Sequence, residues 1–318
     1  MKIVITGGAG FLGSWLCERM LDAGNEVLCI DNMSTCSGSN IFELRKQKNF
    51  LFSKKDITGV KTLKKFDVIF HLASPASPVY YQKYPIETML ANSIGTKNVL
   101  DMAKRHKAKV IFSSTSEVYG DPNQHPQRED YWGNVNPNGV RSCYDESKRF
   151  AEALCMTYFR KGLDVRIARI FNTYGPRMDA NDGRVIPSFI TQALKNVDIM
   201  VHGKGKQTRS FCYVSDMVRG LVAMSEKDVA GDVINLGNPD EHNIKDIAQK
   251  IKKLSESQSM IVFDEMPKDD PSRRKPDISK AKSLLEWKPH VSIDDGLKNT
   301  IDHFKSKSYL LSPKSPVF

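Results

Sequence analysis

The sequence predicts an α/β fold, a doubly wound parallel sheet with a smaller C-terminal α/β lobe. Three observations carry this. Short β-branched runs alternate with amphipathic helical stretches through the first half, and a glycine-rich turn directly follows the first run. After Ile170 the texture changes to polar loops and short helices. Strand–helix alternation at this spacing buries a parallel sheet between two helical layers. Right-handed crossovers then leave a ligand crevice at the strands' carboxyl ends, which makes the sheet Rossmann-type.

Residues 3–6, 26–31, 67–72, 109–114 and 164–169 read as buried strands, each bounded by polar or glycine punctuation. Residues 11–23, stopping at Gly24, and 86–105 read as helices, as does 144–160. Residues 172–206 carry Gly-, Pro- and Asp-rich loops around a helical run at 186–194. An amphipathic stretch, 216–225, and a strand at 233–236 follow. The expected division is a dinucleotide-binding domain of residues 1–171 plus about 207–237, and a second lobe of about 172–206 plus 238–305. Residues 306–318 lack periodicity and read as a flexible tail.

The chain has 318 residues, 40% hydrophobic and 26% charged, a core-forming composition and not a disordered one. Lysine and arginine exceed aspartate and glutamate by 47 to 37. The basic clusters at 104–109 and 250–253 sit among helix-period apolar residues, so they read as solvated helix faces. No zinc-finger or RNP signature accompanies them, so an anionic small molecule explains the charge better than nucleic acid does. The six cysteines include no Cys-x-x-Cys pair and have no histidines at metal-ligand spacing. This argues against a metal module or a disulfide framework and suits a reducing compartment. Isolated histidines such as His71 and His290 read as packed or surface residues, so no metal is expected. The N-terminus leaves no room for a signal-peptide core, and no apolar run approaches the roughly 18 residues of a spanning helix. The expectation is a cytoplasmic protein with no membrane partner.

The glycine turn Gly7-Gly8-Ala9-Gly10-Phe11-Leu12-Gly13 ends a strand and opens a helix. Backbone N–H groups and the helix N-terminus can therefore face a pyrophosphate. Asp31 closes the second strand eighteen residues after Gly13, where a carboxylate accepts from an adenosine ribose and repels a 2′-phosphate. NAD is thus favoured over NADP. The bland alternative is a tight turn with no ligand and an ordinary strand-end Asp, and the conjunction of strand, turn, helix and acid weighs against it.

Tyr144 and Lys148 form the only Tyr-x-x-x-Lys in the chain. On a helix this spacing shares one face, and a nearby ammonium favours phenolate, lowering the tyrosine toward the working pH for proton abstraction. Alone, the pair reads more readily as a surface contact on an amphipathic helix. Thr115, Ser116 and Glu117 change that, because they lie just beyond the strand 109–114, at the edge where such sheets place their chemistry.

Together the glycine turn, SSTSEVYG (113–120) and YDESK (144–148) resemble the extended short-chain dehydrogenase/reductase family. HLASPASP (71–78), EDYWGNVNPNGVRSCYDESKR (129–149), ARIFNTYGPRM (168–178) and NDGRV (181–185) narrow the likeness to the UDP-glucuronate decarboxylase branch. QTRSF (207–211), NLGNPDEH (235–242) and DDPSRRKPDI (269–278) agree, and the likeness spans nearly all of residues 1–304. It implies that Tyr144, held by Lys148 and sharing a hydrogen bond with Thr115, takes the proton of a sugar 4-hydroxyl while hydride passes to NAD. The resulting ketone is the electron sink for decarboxylation, after which C5 is reprotonated and hydride returns to C4, giving UDP-xylose. Glu117, Ser116 and Arg274 match the family's residues near the sugar carboxylate and C5.

The same resemblance assigns cofactor contacts to Gly7, Gly10, Phe11, Leu12, Gly13, Asp31, Asn32, Asp56 and Ile57. Leu72, Ala73, Ser74, Ser113, Tyr144 and Lys148 complete them. It assigns the UDP-sugar, UDP-glucuronate, to Asn172, Arg177, Arg184, Gln207, Arg209, Tyr213 and Arg274. Arginine suits a diphosphate and a carboxylate because its planar fork donates to two oxygens at once. It further implies a homodimer packed through the helices around 86–105 and 144–160. The chain departs from the family pattern at Leu90 and Ala91, where lysine and threonine are usual, and at Ser147, where glycine is common. Two alternatives share the scaffold: a UDP-glucuronate 4-epimerase, which holds the same carboxylate without losing it, and a dTDP-glucose 4,6-dehydratase-type enzyme, which should show Asp-Glu where this chain has Ser116-Glu117. A non-catalytic NAD-binding sensor is the alternative of another class, and it has no need of Tyr144, Lys148 or residues 115–117.

Overall fold

Seven strands pair in parallel throughout: β1 (Lys2–Thr6), β2 (Glu26–Asp31), β3 (Phe50–Lys54), β4 (Val68–His71), β5 (Lys109–Thr115), β6 (Val165–Ile170) and Val233–Leu236. Their order is β3-β2-β1-β4-β5-β6 and then Val233–Leu236. The computed structural model describes residues 1–266 and 273–306. Every residue of β4, and all but the first of β1 and β5, are buried, which is why these strands read as apolar runs without alternation. The strand order reverses between β1 and β4, so the crevice opens beyond their carboxyl ends.

Helices α1 (Phe11–Asp22), α2 (Pro78–Lys83), α3 (Pro85–Leu90), α4 (Thr96–His106) and α5 (Ser142–Phe159) make the crossovers. The helix expected over 86–105 is interrupted by a π-helical turn at Ala91–Gly95. The extra residue in such a turn re-aims side chains. Here Asn92 is fully buried and donates to the Ser147 hydroxyl at 3.0 Å, while Ser147 itself donates to the Cys143 carbonyl at 2.6 Å. A serine at position 147 therefore ties the π turn to α5.

Beyond β6 the chain adds α6 (Val185–Leu194), α7 (Val214–Glu226), α8 (Ile244–Leu254), α9 (Ser279–Leu285) and α10 (Ile293–Ser306). Thr208–Ser210 pairs antiparallel with Glu241–Asn243 and parallel with Arg273–Arg274. This strand therefore goes with the smaller lobe, although residues 207–237 were expected wholly in the larger one; Val233–Leu236 does join the large sheet. Asp216 fixes the C-terminal helices: one carboxylate oxygen accepts from the amides of His290 and Val291, each at 2.9 Å. The Trp287 indole donates to the Asp216 carbonyl at 3.0 Å. The expected tail beyond residue 306, and residues 269–272 of the DDPSRRKPDI motif, lie outside the described residues.

Candidate active site

A cleft of about 1310 Å³ runs from the glycine turn, past the end of β5, to the smaller lobe. Its cofactor end is a cradle of bare backbone. A Cβ on Gly7, whose φ is +70°, would stand 2.8 Å from the amide of Ala73, and one on Gly13 would stand 2.1 Å from the Gly7 carbonyl. Only glycine lets β1, β4 and the start of α1 close this tightly. Asp31 accepts from the Ala9 amide at 3.0 Å through one oxygen and from the Met33 amide at 2.8 Å through the other. A carboxylate has about four acceptor positions, so the positioned group keeps capacity for a ribose diol. Asn32 donates to Asp56 at 2.7 Å, and Asp56 caps the turn that starts at Ile57. Phe11, Leu12, Leu72, Ala73, Ser74 and Ser113 also line this end of the cleft. The residues present fit a dinucleotide.

Midway along the cleft, β5 and α5 bring Tyr144, Lys148 and Thr115 together. Tyr144 and Thr115 line the cleft side by side, and the Thr115 hydroxyl accepts from the Glu117 amide at 3.2 Å. Lys148 is buried, donates to the Ser113 carbonyl at 2.8 Å, and lies 4.9 Å from the Phe112 ring centre and 5.8 Å from that of Tyr144. In the ligand-free protein the ammonium therefore rests on a backbone carbonyl and not on the phenol oxygen. Burial, opposed by the Thr115 hydrogen bond, holds Tyr144 well above the ordinary phenol range. Burial also pushes the Lys148 ammonium itself down to about 7. The lysine is aimed at a backbone carbonyl, so its effect on the phenol in this state is weak.

One turn beyond β5, Glu117 meets two arginines. Arg274 is 1% exposed and donates to Ser116 at 3.0 Å, to Glu117 at 3.2 Å and to the Gly120 carbonyl at 2.8 Å. Arg141 donates to the other Glu117 oxygen at 2.5 Å. Burial alone would raise Glu117, but the two guanidiniums outweigh it and hold the acid down at about 2. It is therefore a permanent anion inside a cationic frame. The Nε of Arg274 is buried without a hydrogen-bond partner among the described residues.

The remaining expected contacts come from the smaller lobe. Arg184 precedes α6 and is held by Asp182, with Nη2 at 2.8 Å from one carboxylate oxygen. Arg177 stacks 4.3 Å from the Trp15 ring centre and pairs with Glu18 at 2.7 Å, so α1 orients it. Gln207 donates to the His202 carbonyl at 2.6 Å, and Arg209 to the Thr208 carbonyl at 2.9 Å. With Asn172, all of these line the cleft. Tyr213 does not. Its ring packs edge-on against Tyr174 at 5.6 Å, under α10, because Gly296 leaves space there for both tyrosines.

Three residues escaped the sequence reading. Arg141 carries no motif of its own, though it lies in the quoted segment 129–149. Tyr81 stacks on Tyr144 with 5.1 Å between ring centres and 6° between planes. Asp145 follows Tyr144 directly and is buried. Of the departures from the family pattern at 90 and 91, Ala91 lines the cleft while Leu90 is exposed. His71 is enclosed between the hydroxyls of Thr6 at 2.7 Å and Thr96 at 3.1 Å, and burial depresses it to about 3. Among the described residues no group of three or more His, Cys, Asp or Glu side chains is arranged to hold a metal.

The model of the NAD dependent epimerase/dehydratase family matches residues 3–237. UDP-glucuronic acid decarboxylase 1 of Xenopus tropicalis is 50% identical over 307 residues, spanning 96% of this chain and 72% of that protein. UDP-glucuronic acid decarboxylase 1 of Arabidopsis thaliana is 49% identical over 308 residues, spanning 96% and 70%. The solved structure of UDP-glucuronic acid 4-epimerase from Bacillus cereus, in complex with UDP-glucuronic acid and NAD, superposes with a TM-score of 0.88 at 33% identity, over 96% of this chain and 100% of that one.

Proposed function

The chain belongs to the NAD dependent epimerase/dehydratase family, and from that premise we propose that it converts UDP-glucuronate to UDP-xylose and carbon dioxide, with NAD restored in each cycle. The observation that carries this reading is the Glu117–Arg141–Arg274 cluster, anchored by the buried Arg274 and lying just beyond Thr115. A sugar whose 4-hydroxyl meets Tyr144 sets its C5 substituent toward the two guanidiniums, which suit a carboxylate.

NAD, when bound, supplies the hydride acceptor for C4. Tyr144 and Thr115 exchange the proton of the 4-hydroxyl. With a ketone at C4, the carboxylate is β to a carbonyl. The C5–carboxyl bond can then break with its electron pair passing to the ketone oxygen, and carbon dioxide leaves. A proton taken up at C5 replaces it, and the ketone becomes an alcohol again as hydride returns to C4 and Tyr144 returns the proton to its oxygen, so the reaction consumes one proton overall. Arg274 and Arg141 hold the carboxylate, and Ser116 and Glu117 hold Arg274 in turn.

A UDP-glucuronate 4-epimerase shares the substrate, but the named decarboxylases are closer in sequence, at 50% against 33% identity. Incubation with UDP-glucuronate and NAD is expected to give a UDP-pentose and carbon dioxide by mass spectrometry, with no lasting absorbance from reduced nicotinamide. A product of unchanged mass would overturn the decarboxylase reading in favour of the epimerase.

The assembly we read as a homodimer. Ile86, Met89 and Leu90 on α3, Ile94 on the π turn and Phe150 on α5 are all exposed, and α3 packs beside α5. A two-fold axis through this face would cover the same apolar residues on both copies. Sedimentation should give twice the chain mass, with Phe150→Glu shifting it to one; a wild-type monomer at micromolar concentration sinks the idea. A cytoplasmic location is supported by the six cysteines, all of them free thiols. No helix among the described residues is long and apolar enough to cross a membrane.

A further inference from the structure

Arg274 reaches Ser116, Glu117 and the Gly120 carbonyl from a strand of only two residues, Arg273–Arg274, paired with Thr208 and Arg209. So short a strand makes few ladder bonds and fixes its arginine weakly. The next three residues, Lys275, Pro276 and Asp277, run beside Gln127, from the loop between β5 and α5. Gln127 spends three of its four polar groups on them. Its amide donates to the Lys275 carbonyl at 2.9 Å, its Oε1 accepts from the Lys275 amide at 2.8 Å, and its carbonyl accepts from the Asp277 amide at 2.8 Å. The fourth, Nε2, donates to the Gln124 carbonyl at 2.7 Å.

Asn235, on the strand Val233–Leu236 of the large sheet, ties this arrangement down. Its Nδ2 donates to the Gln127 carbonyl at 3.0 Å and to the Asp277 carbonyl at 3.1 Å, while its Oδ1 accepts from the Tyr119 hydroxyl at 2.8 Å. Tyr119 ends the turn that carries Ser116 and Glu117. That turn therefore meets the arginine's segment twice: directly through the Arg274 guanidinium, and again through Tyr119, Asn235 and Gln127. Gln127 and Asn235 are fully buried, and a buried polar network whose members are all satisfied is rigid. Neither side chain lines the cleft.

We propose that Gln127 is a positioning residue for the decarboxylation step: it fixes the backbone that follows Arg274, so that the guanidinium holds the substrate's carboxylate where carbon dioxide can leave. It has no part in the proton and hydride transfers at C4, which belong to Tyr144, Thr115 and NAD. Its loss is therefore felt after the ketone has formed. The C5–carboxyl bond then breaks more slowly, and the hydride taken from C4 waits on the cofactor as reduced nicotinamide. The inference rests on the reading above that the substrate carries a carboxylate and loses it.

The test compares Gln127→Met, which keeps the length of the side chain and removes the acceptor for the Lys275 amide, with Gln127→Glu, which keeps that acceptor. Each enzyme, loaded with NAD, is mixed with excess UDP-glucuronate, and carbon dioxide release and reduced-nicotinamide absorbance are followed together. Wild type is expected to show little absorbance during turnover. Gln127→Met should release carbon dioxide about tenfold more slowly, the scale of a modest misplacement at a reacting group, and should hold reduced nicotinamide meanwhile. Gln127→Glu should lie closer to wild type on both readouts. A general loosening of the fold would slow oxidation as well and leave no absorbance, so a slow Gln127→Met without it overturns the proposal. So does a wild-type rate in Gln127→Met, equal damage in Gln127→Glu, or a Gln127→Met chain that binds no NAD, which would make the glutamine a folding residue. Failure of the wild-type enzyme to release carbon dioxide from UDP-glucuronate instead removes the decarboxylase reading, and the proposal with it.

Discussion

Tyr144→Phe is expected to lower kcat for UDP-glucuronate by about 10³-fold, the scale of losing a positioned general base. The substitution removes one oxygen and little else. The ring keeps its stack on Tyr81, and Lys148 stays on the Ser113 carbonyl. NAD binding and KM should therefore stay close to wild type, and the loss should appear in the rate of UDP-pentose formation. The sign of the pH dependence follows from burial. The phenol is held above its ordinary range in the ligand-free protein, so its base form becomes more abundant as pH rises, and kcat should rise with it. That limb should be absent from the variant. Undiminished turnover by Tyr144→Phe would remove the tyrosine from the chemistry.

Arg274→Ala should damage both rate and fold. Its guanidinium serves Ser116, Glu117 and the Gly120 carbonyl together. Removing one partner of a buried charge pair costs about 3–5 kcal/mol, and losing a preorganised donor at the reacting group slows the step about 10²–10³-fold. Glu117 has a folded pKa of about 2 against an ordinary 4.5. Its stabilising contribution is thus complete above about pH 4.5 and is lost as pH falls toward 2. Without Arg274, less of that contribution exists to lose, so the variant's denaturation midpoint should vary less across this acid range than wild type. Thermal melts at neutral and acid pH, with single-turnover release of carbon dioxide, check the two halves. Wild-type rate in Arg274→Ala would place the carboxylate elsewhere.

The sheet was legible because its central strands are buried on both faces, and such strands write themselves as apolar runs. β3 was not, because it is the edge strand and Leu51 on it faces solvent, which breaks the run. The break in the helix over 86–105 was hidden as well, since a π turn changes hydrogen bonding without needing glycine or proline at its start. At the site, the residues that read clearly were those whose spacing is fixed by one local element: the glycine turn, Thr115 to Glu117 after β5, and Tyr144 with Lys148 on α5. Arg141 and Asp145 had no such signature. Their chemistry comes from facing Glu117 across elements, and burial, which decides the ionisation of Asp145 and Lys148, is a tertiary property. The same limit explains Tyr213, whose motif neighbours reach the cleft while its own ring is claimed by Tyr174.

The pairing of Arg273–Arg274 with Thr208–Ser210 also governs when competence arises during synthesis. Glu117 and Arg274 lie 157 residues apart in the chain. At roughly 5–20 residues per second, the ribosome makes Glu117 about 8–31 seconds before its arginine. The nucleotide-binding strands β1 to β6 can pair in that interval, but Glu117 faces Arg141 without the second cation. A nascent or C-terminally truncated chain can therefore acquire a cofactor cradle before it acquires its carboxylate-binding frame. That frame needs a chain synthesised past residue 274, and the cleft that holds it is closed only by His303 and Phe304.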